Sequence, residues 1–421
     1  MKTTALRLYG QNDLRLESFE LPEIKDDEIL AHIISDSVCM SSYKATIQGA
    51  AHKRVPDDVA VNPIIIGHEF CGEIIKVGQK WQSQFKSGDR FSIQPALNYN
   101  GSLNSPGYSY KYIGGDATYI VIPHEVMETG SLLPYNGEAF FHGSLSEPMS
   151  CIIGSFHAMY HTQNGVYTHK MGIKEGGCLA ILAGAGPMGL GAIDYAIHGG
   201  IKPAIIVVTD IDDARLARAA EILSVEKAAS EGVKLYYINT AKCENAEDYL
   251  RSLTGGNGFD DLFVFAPVKP VVEMGDRLLA RDGCLNFFAG PTNTEFSAMF
   301  NFYNVHYIST HIVGTSGGNT DDMKESLCLM QHGKINPSAM ITHIGGLDAA
   351  KDTILNLPNI KGGKKLIYTN ISMPLVALDD LEKLGENDPL YAKLGEIVKA
   401  NNGLWCAEAE KHLLAHAKSI G

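Results

Sequence analysis

Cys178-Leu179-Ala180-Ile181-Leu182-Ala183 runs directly into Gly184-Ala185-Gly186-Pro187-Met188-Gly189, an apolar strand-like run closed by a G-x-G-x-x-G. Its place between a strand and a helical stretch gives the motif weight. The first glycine permits the tight turn, the second lets the backbone approach a pyrophosphate, and the third lets helix and strand pack closely. Phosphates would sit on the helix N-terminus, where unpaired N–H groups and the dipole favour negative charge. Asp210 ends the next apolar run, about 20 residues on, where a carboxylate is needed for the adenosine ribose hydroxyls. Its charge repels a 2′-phosphate, so NAD(H) is favoured over NADP(H). Arg215, close by in sequence, would soften that preference and keeps NADP(H) possible.

Working outward, further apolar runs at Ile205–Thr209, Leu235–Ile238, Leu262–Phe265, Cys284–Ala289 and Ile308–Val313 alternate with helical stretches. With the first run they make six strands, enough for a doubly wound α/β dinucleotide-binding domain. The residues before about 150 differ, with short β-like runs such as Ile64-Ile65-Ile66, Glu73–Val77 and Thr118–Ile122 punctuated by Gly and Pro. They predict a separate β-rich domain. Lys364–Tyr368 reads as a late strand and the C-terminal tail as helices.

A net charge of −13 argues against nucleic acid as a partner. No run approaches the roughly 20 apolar residues of a membrane span, and the N-terminus lacks a signal-peptide pattern, so no membrane association is expected. Eight scattered cysteines without a C-x-x-C pair suit a reducing, cytoplasmic setting better than a disulfide framework.

Cys39, His68 and Glu147 offer a thiolate, an imidazole and a carboxylate, a three-ligand zinc set that leaves a fourth position open for chemistry. Val38-Cys39, Gly67-His68-Glu69-Phe70-Cys71-Gly72, Gly88-Asp89-Arg90, Gly114–Tyr119, Ser146-Glu147-Pro148 and the glycine motif, taken together, resemble the zinc-dependent medium-chain dehydrogenases, in particular their polyol and sugar-phosphate branch. The resemblance implies a GroES-like catalytic domain over residues 1–157 and 318–421, with a C-terminal helical extension, and a Rossmann NAD(P)-binding domain over 158–317. It implies Cys39, His68 and Glu147 as ligands of a catalytic Zn2+, with Glu69 a neighbouring or exchangeable carboxylate. It also implies nicotinamide-side contacts from Gly290 and from Gly314-Thr315-Ser316, and a homodimer or homotetramer. The expected activity is hydride transfer between NAD(P)(H) and a ketose phosphate or polyol phosphate. Alternatives are a free polyol, zinc-free reduction of a quinone or enone, and non-catalytic dinucleotide binding.

Two departures from the family pattern carry information. Residues 91–112 contain no cysteine, where members with a structural zinc carry four, so one zinc per chain is expected. After Cys39, Ser41 keeps the hydroxyl of the proton path, but Ser42 and Lys44 stand where Asp and His are usual. Lys44 is a poor proton shuttle unless its pKa is lowered. Its alternatives are a contact to a phosphate or a plain exposed lysine. Tyr43 and the cluster His52-Lys53-Arg54 are candidate substrate contacts, Arg54 offering bidentate geometry to a phosphate; the alternative is a solvated basic turn. Lys364 and Lys365 are further phosphate candidates, and His157 with His161 an i, i+4 pair on one helix face.

Overall fold

The β-branched runs around the glycine motif form a six-stranded parallel sheet in the computed structural model, which describes residues 1–163 and 165–421. In space the strands run Lys234–Asn239, Ile205–Asp210, Cys178–Leu182, Phe259–Val264, Leu279–Phe287 and His311–Val313. The chain order therefore reverses beside Cys178–Leu182, and the crevice at the C-terminal end of such a switch point is where doubly wound sheets bind ligands. Central residues Ala180, Leu182, Val207, Leu262, Val264 and Leu285 are fully buried. That burial is why these strands read as near-continuous apolar runs.

The chain forms two compact units: Met1–Pro148 with Asn319–His332 and Ile341–Gly421, and Met149–Gly318 with Gly333–Met340. The helix Phe140–His157 runs through the division. His161 lies beyond that helix, in the strand Tyr160–Gln163, so it does not share a helix face with His157. Its Nε2 is 3.0 Å from Asp261 and its Nδ1 3.0 Å from the Asp282 carbonyl.

In the first unit the strand Ile29–Val38 is the organising element. It pairs antiparallel along one side with Phe70–Val77, and along the other with Tyr119–Ile122 and Lys364–Tyr368. The register sets Asp36 opposite Phe70 and Val38 opposite Lys365. The residue that follows Ile29–Val38, the loop that precedes Phe70 and the start of Lys364–Tyr368 thus meet at one end of the sheet. Those positions are Cys39, His68-Glu69 and Lys364. The run Ile64-Ile65-Ile66 contributes only the two-residue strand Ile64–Ile65 against Arg7 and Leu8. Helices Leu381–Gly385, Pro389–Ala400 and Ala407–His416 close the chain. Among the described residues no helix is long and apolar enough to cross a membrane.

Candidate functional site

Cys39 occupies the N-cap of the helix Met40–Gln48 in extended conformation, and its side chain makes no capping bond. The thiol is left to face His68 and Glu69; one ligand atom from each of the three lies within 4.8 Å of the others. His68 is buried, with Nδ1 3.2 Å from Ser42 Oγ and Nε2 3.2 Å from Ser41 Oγ. Burial lowers its pKa and favours the neutral, metal-binding ring. A proton on Nδ1, donated to Ser42, leaves the Nε2 lone pair facing Cys39. Ser42 thereby orients the ring as outer-shell partners of metal-bound histidines do.

Glu69 does not stand alone. The Lys364 ammonium donates to both of its oxygens at 2.6 Å, and both side chains are buried. Burial works against that ammonium, but the charges of Glu69 and Cys39 more than offset it and raise its pKa. Lys365, on the opposite face of the strand, donates to the carbonyls of Ile360, Lys361 and Gly363. Neither lysine is therefore available as a phosphate contact.

Glu147 comes from the helix Phe140–His157 and is 7% exposed. Its pKa is pushed up to about 7 by burial and then by the charge of Glu69, while His68 and Lys364 work the other way. It therefore belongs to the same electrostatic cluster as Cys39, His68 and Glu69, whose ligand atoms lie within 4.8 Å of one another. Cys39 is likewise raised by burial and then by Glu69. Sulfur, imidazole and carboxylate donors, two of them held away from their ionised forms for want of positive charge, fit a divalent, zinc-like ion.

One residue of the site had no signal in the sequence. Tyr108 is 1% exposed; its hydroxyl donates to Ser41 Oγ at 2.8 Å and lies 3.1 Å from His68 Nε2, while Ser41 donates to Cys39 Sγ at 3.0 Å. A glycine was the only hint: Gly107 has φ +77, and a Cβ there would strike the Gly67 carbonyl, so the loop can lie against the histidine turn only with glycine. The Tyr108 ring also carries the basic cluster. His52 stacks on it at 5.8 Å and the Arg54 guanidinium sits 5.3 Å from its centroid. Burial, followed by the charges of Arg54, Lys53 and Lys44, lowers the His52 pKa to about 4. Arg54 Nε is buried without a hydrogen-bond partner. Lys53 is exposed, and Tyr43 and Lys44 are half-buried on the helix Met40–Gln48.

On the nucleotide side, a Cβ at Gly189 would strike the Gly184 carbonyl, whereas one at Gly186 meets nothing within 4 Å. The third glycine thus serves helix–strand packing and the second leaves room for a ligand. Pro187 opens the helix Pro187–His198 with Gly186 as N-cap, and Met188 is half-buried. Asp210 accepts from the N–H groups of Ala185, Ile211 and Asp212, which fixes its carboxylate against the glycine turn. Arg215 is exposed, its nearest carboxylate Asp212 at 3.9 Å, and nothing brings it to Asp210. Gly314 and Ser316 are exposed after the sixth strand, as Gly290 is after the fifth; Thr315 Oγ1 is buried without a partner.

Residues 25–130 match the family described as alcohol dehydrogenase GroES-like domain, and residues 187–332 the one described as zinc-binding dehydrogenase. The L-sorbose 1-phosphate reductase of Klebsiella pneumoniae is 52% identical over 99% of this chain and 98% of its own. The chain belongs to the zinc-dependent medium-chain dehydrogenases. Another such relative, the mannitol-1-phosphate 5-dehydrogenase of Aliivibrio fischeri, is 55% identical over 98% of this chain and 97% of its own. Among solved structures, 2R,3R-butanediol dehydrogenase from Bacillus subtilis shares the fold, with a TM-score of 0.71 at 20% identity over 87% of this chain and 100% of that one. As a medium-chain dehydrogenase, this protein is an oxidoreductase, built from a GroES-like and a Rossmann-type domain.

Proposed function

We propose that this protein transfers hydride between NAD(P)(H) and a ketose phosphate or polyol phosphate, with one catalytic zinc per chain held by Cys39, His68 and Glu147. The observation that carries the substrate class is the double use of Tyr108: its hydroxyl touches Ser41 and His68 at the metal end, and its ring carries Arg54 and His52. A substrate oxygen beside His68 then lies within one sugar's length of a guanidinium whose buried Nε lacks a partner. The phosphorylated substrates named for two relatives that align almost end to end support the same reading. Zinc in this site would supply Lewis-acid polarisation of the reacting oxygen. Tyr108 donates to Ser41 and so orients the Ser41 hydroxyl beside the ligand atoms, where it is placed to take up or deliver the substrate proton. Lys44, whose charge acts on His52 together with those of Arg54 and Lys53, serves the phosphate end in preference to a proton shuttle.

The test is a panel of L-sorbose 1-phosphate, mannitol 1-phosphate and the free sugars with NADH or NADPH, or their oxidised forms. Phosphorylated substrates and NAD(H), the cofactor without a 2′-phosphate, are expected to win. Arg54→Ala should raise KM for phosphorylated substrates about 10- to 100-fold, the loss of one or two charge-assisted hydrogen bonds, and leave the free sugars nearly unchanged. Equal effects on both would remove the clamp.

Self-association forms part of the same reading. His311–Val313 is an edge strand, and Met299, Phe302, Tyr303, Tyr307 and Ile312 near it are exposed. An unprotected apolar edge favours pairing with a second copy. Light scattering should give two or four chains per particle, and Phe302→Glu should lower that number; a monomeric parent protein would refute the assignment.

A further inference from the structure

The helix that carries Glu147 begins at Phe140, and like any α-helix it leaves its first N–H groups without intrahelical partners. Two of them are satisfied from the C-terminal helix. The Glu410 carboxylate, on the C-terminal helix Ala407–His416, accepts from Phe140 N at 2.6 Å and from Phe141 N at 2.9 Å. Glu410 is 3% exposed, and Tyr368 donates a third bond to it at 3.0 Å while Trp405 Nε1 donates to Tyr368 at 2.7 Å. This buried network belongs to the C-terminal extension and has no part in the mechanism above.

Its geometry has a consequence for Glu147. Along its flank the helix meets the sheet through small residues: Gly143, where a Cβ would strike Cys71; Ser144, 3.0 Å from Ser35; and Ser146, 2.8 Å from Ser92. These contacts, with Ser92 donating to the Gly143 carbonyl at 2.5 Å, seat the middle of the helix on the sheet and leave its first turn to be held from elsewhere. The two bonds to Glu410 act along the axis. Glu147 follows seven residues later, about 10 Å at 1.5 Å per residue, so an axial slip at Phe140 is passed to the Glu147 carboxylate. We propose that Glu410 is a positioning residue, an axial stop through which the C-terminal extension sets the depth of Glu147 in the metal site. This rests on Glu147 being a zinc ligand.

Zinc affinity, measured by competition with a chromophoric chelator on the full-length protein, tests it. Glu410→Ala is expected to weaken zinc binding about 10- to 100-fold, the range for groups that orient a ligand. Glu410→Gln, which keeps the shape and one accepting oxygen, should lose less, about threefold to tenfold on the same scale. Hydrogen exchange of residues 140–146 should speed up in both, ahead of residues 150–156. Leu413→Ala, a buried change on the same C-terminal helix, should lower thermal stability without changing zinc affinity, which separates positioning from general destabilisation. If Glu410→Ala does not fold, Glu410→Gln decides. Wild-type zinc affinity in a folded Glu410 variant, with Glu147→Ala losing zinc, overturns the positioning role. Unchanged zinc affinity in Glu147→Ala overturns the ligand reading instead.

Discussion

Glu147→Ala is expected to leave a folded protein that retains under about one-tenth of its zinc and loses about a thousandfold in kcat, equivalent to about 4 kcal/mol of transition-state stabilisation. The fold should survive because Glu147 costs the metal-free protein stability. Burial and the charge of Glu69 hold its pKa near 7, above the ordinary 4.5, so the folded chain keeps a proton that the unfolded chain releases. Metal-free stability therefore falls as pH rises from about 4.5 to about 7, and Ala removes that loss. Alanine is also the best residue for a helix interior. The thermal midpoint without metal should match or exceed that of the parent, while the increment gained on adding zinc should largely vanish. Metal content by elemental analysis, thermal midpoints with and without zinc, and steady-state rates check this. One zinc per chain together with kcat within tenfold of the parent would assign the third ligand to Glu69, whose carboxylate comes within 4.8 Å of the ligand atoms of Cys39 and His68.

The nucleotide half of the molecule was readable because its signals are local. Parallel strands buried on both faces leave apolar runs, and the strand–glycine–helix order is contiguous, so the six expected strands and the glycine turn appear within a few residues of their places. The metal half is made by pairs remote in sequence. Lys364 reaches Glu69 across 295 residues, Glu410 reaches Phe140 across 270, and Tyr108 reaches His68 across 40. None of these leaves a periodicity or spacing to read. Cys39, His68 and Glu147 lie in separate motifs; the approach of Glu69 to the thiol depends on the register of Ile29–Val38 with its neighbours. Lys364 and Lys365 show the same limit. Two adjacent lysines look alike in sequence, but strand alternation sends one to Glu69 and the other to three carbonyls.

Lys364→Met should destabilise the protein by about 3–5 kcal/mol, because it removes the cation from a buried pair and leaves the Glu69 carboxylate without its partner. The side chains of Lys364 and Glu69 are 7% and 1% exposed, so water cannot take over the role of the ammonium. Met fills most of the lysine volume, which keeps the packing cost small beside the electrostatic one. Adding Glu69→Gln should recover most of the loss, since the remaining amide carries no charge to desolvate. Denaturant unfolding of both single variants and the double variant gives the coupling energy directly. A loss below about 1 kcal/mol for Lys364→Met would mean that the pair behaves like a surface salt bridge. Lys364 is also a cation beside a site that lacks positive charge, so its removal, which bares Glu69 next to Cys39 and His68, should tighten zinc binding while the fold loses stability, and the double variant should bring both back toward the parent values. The opposite signs of the two effects separate the structural use of the Lys364–Glu69 pair from its electrostatic use at the metal site.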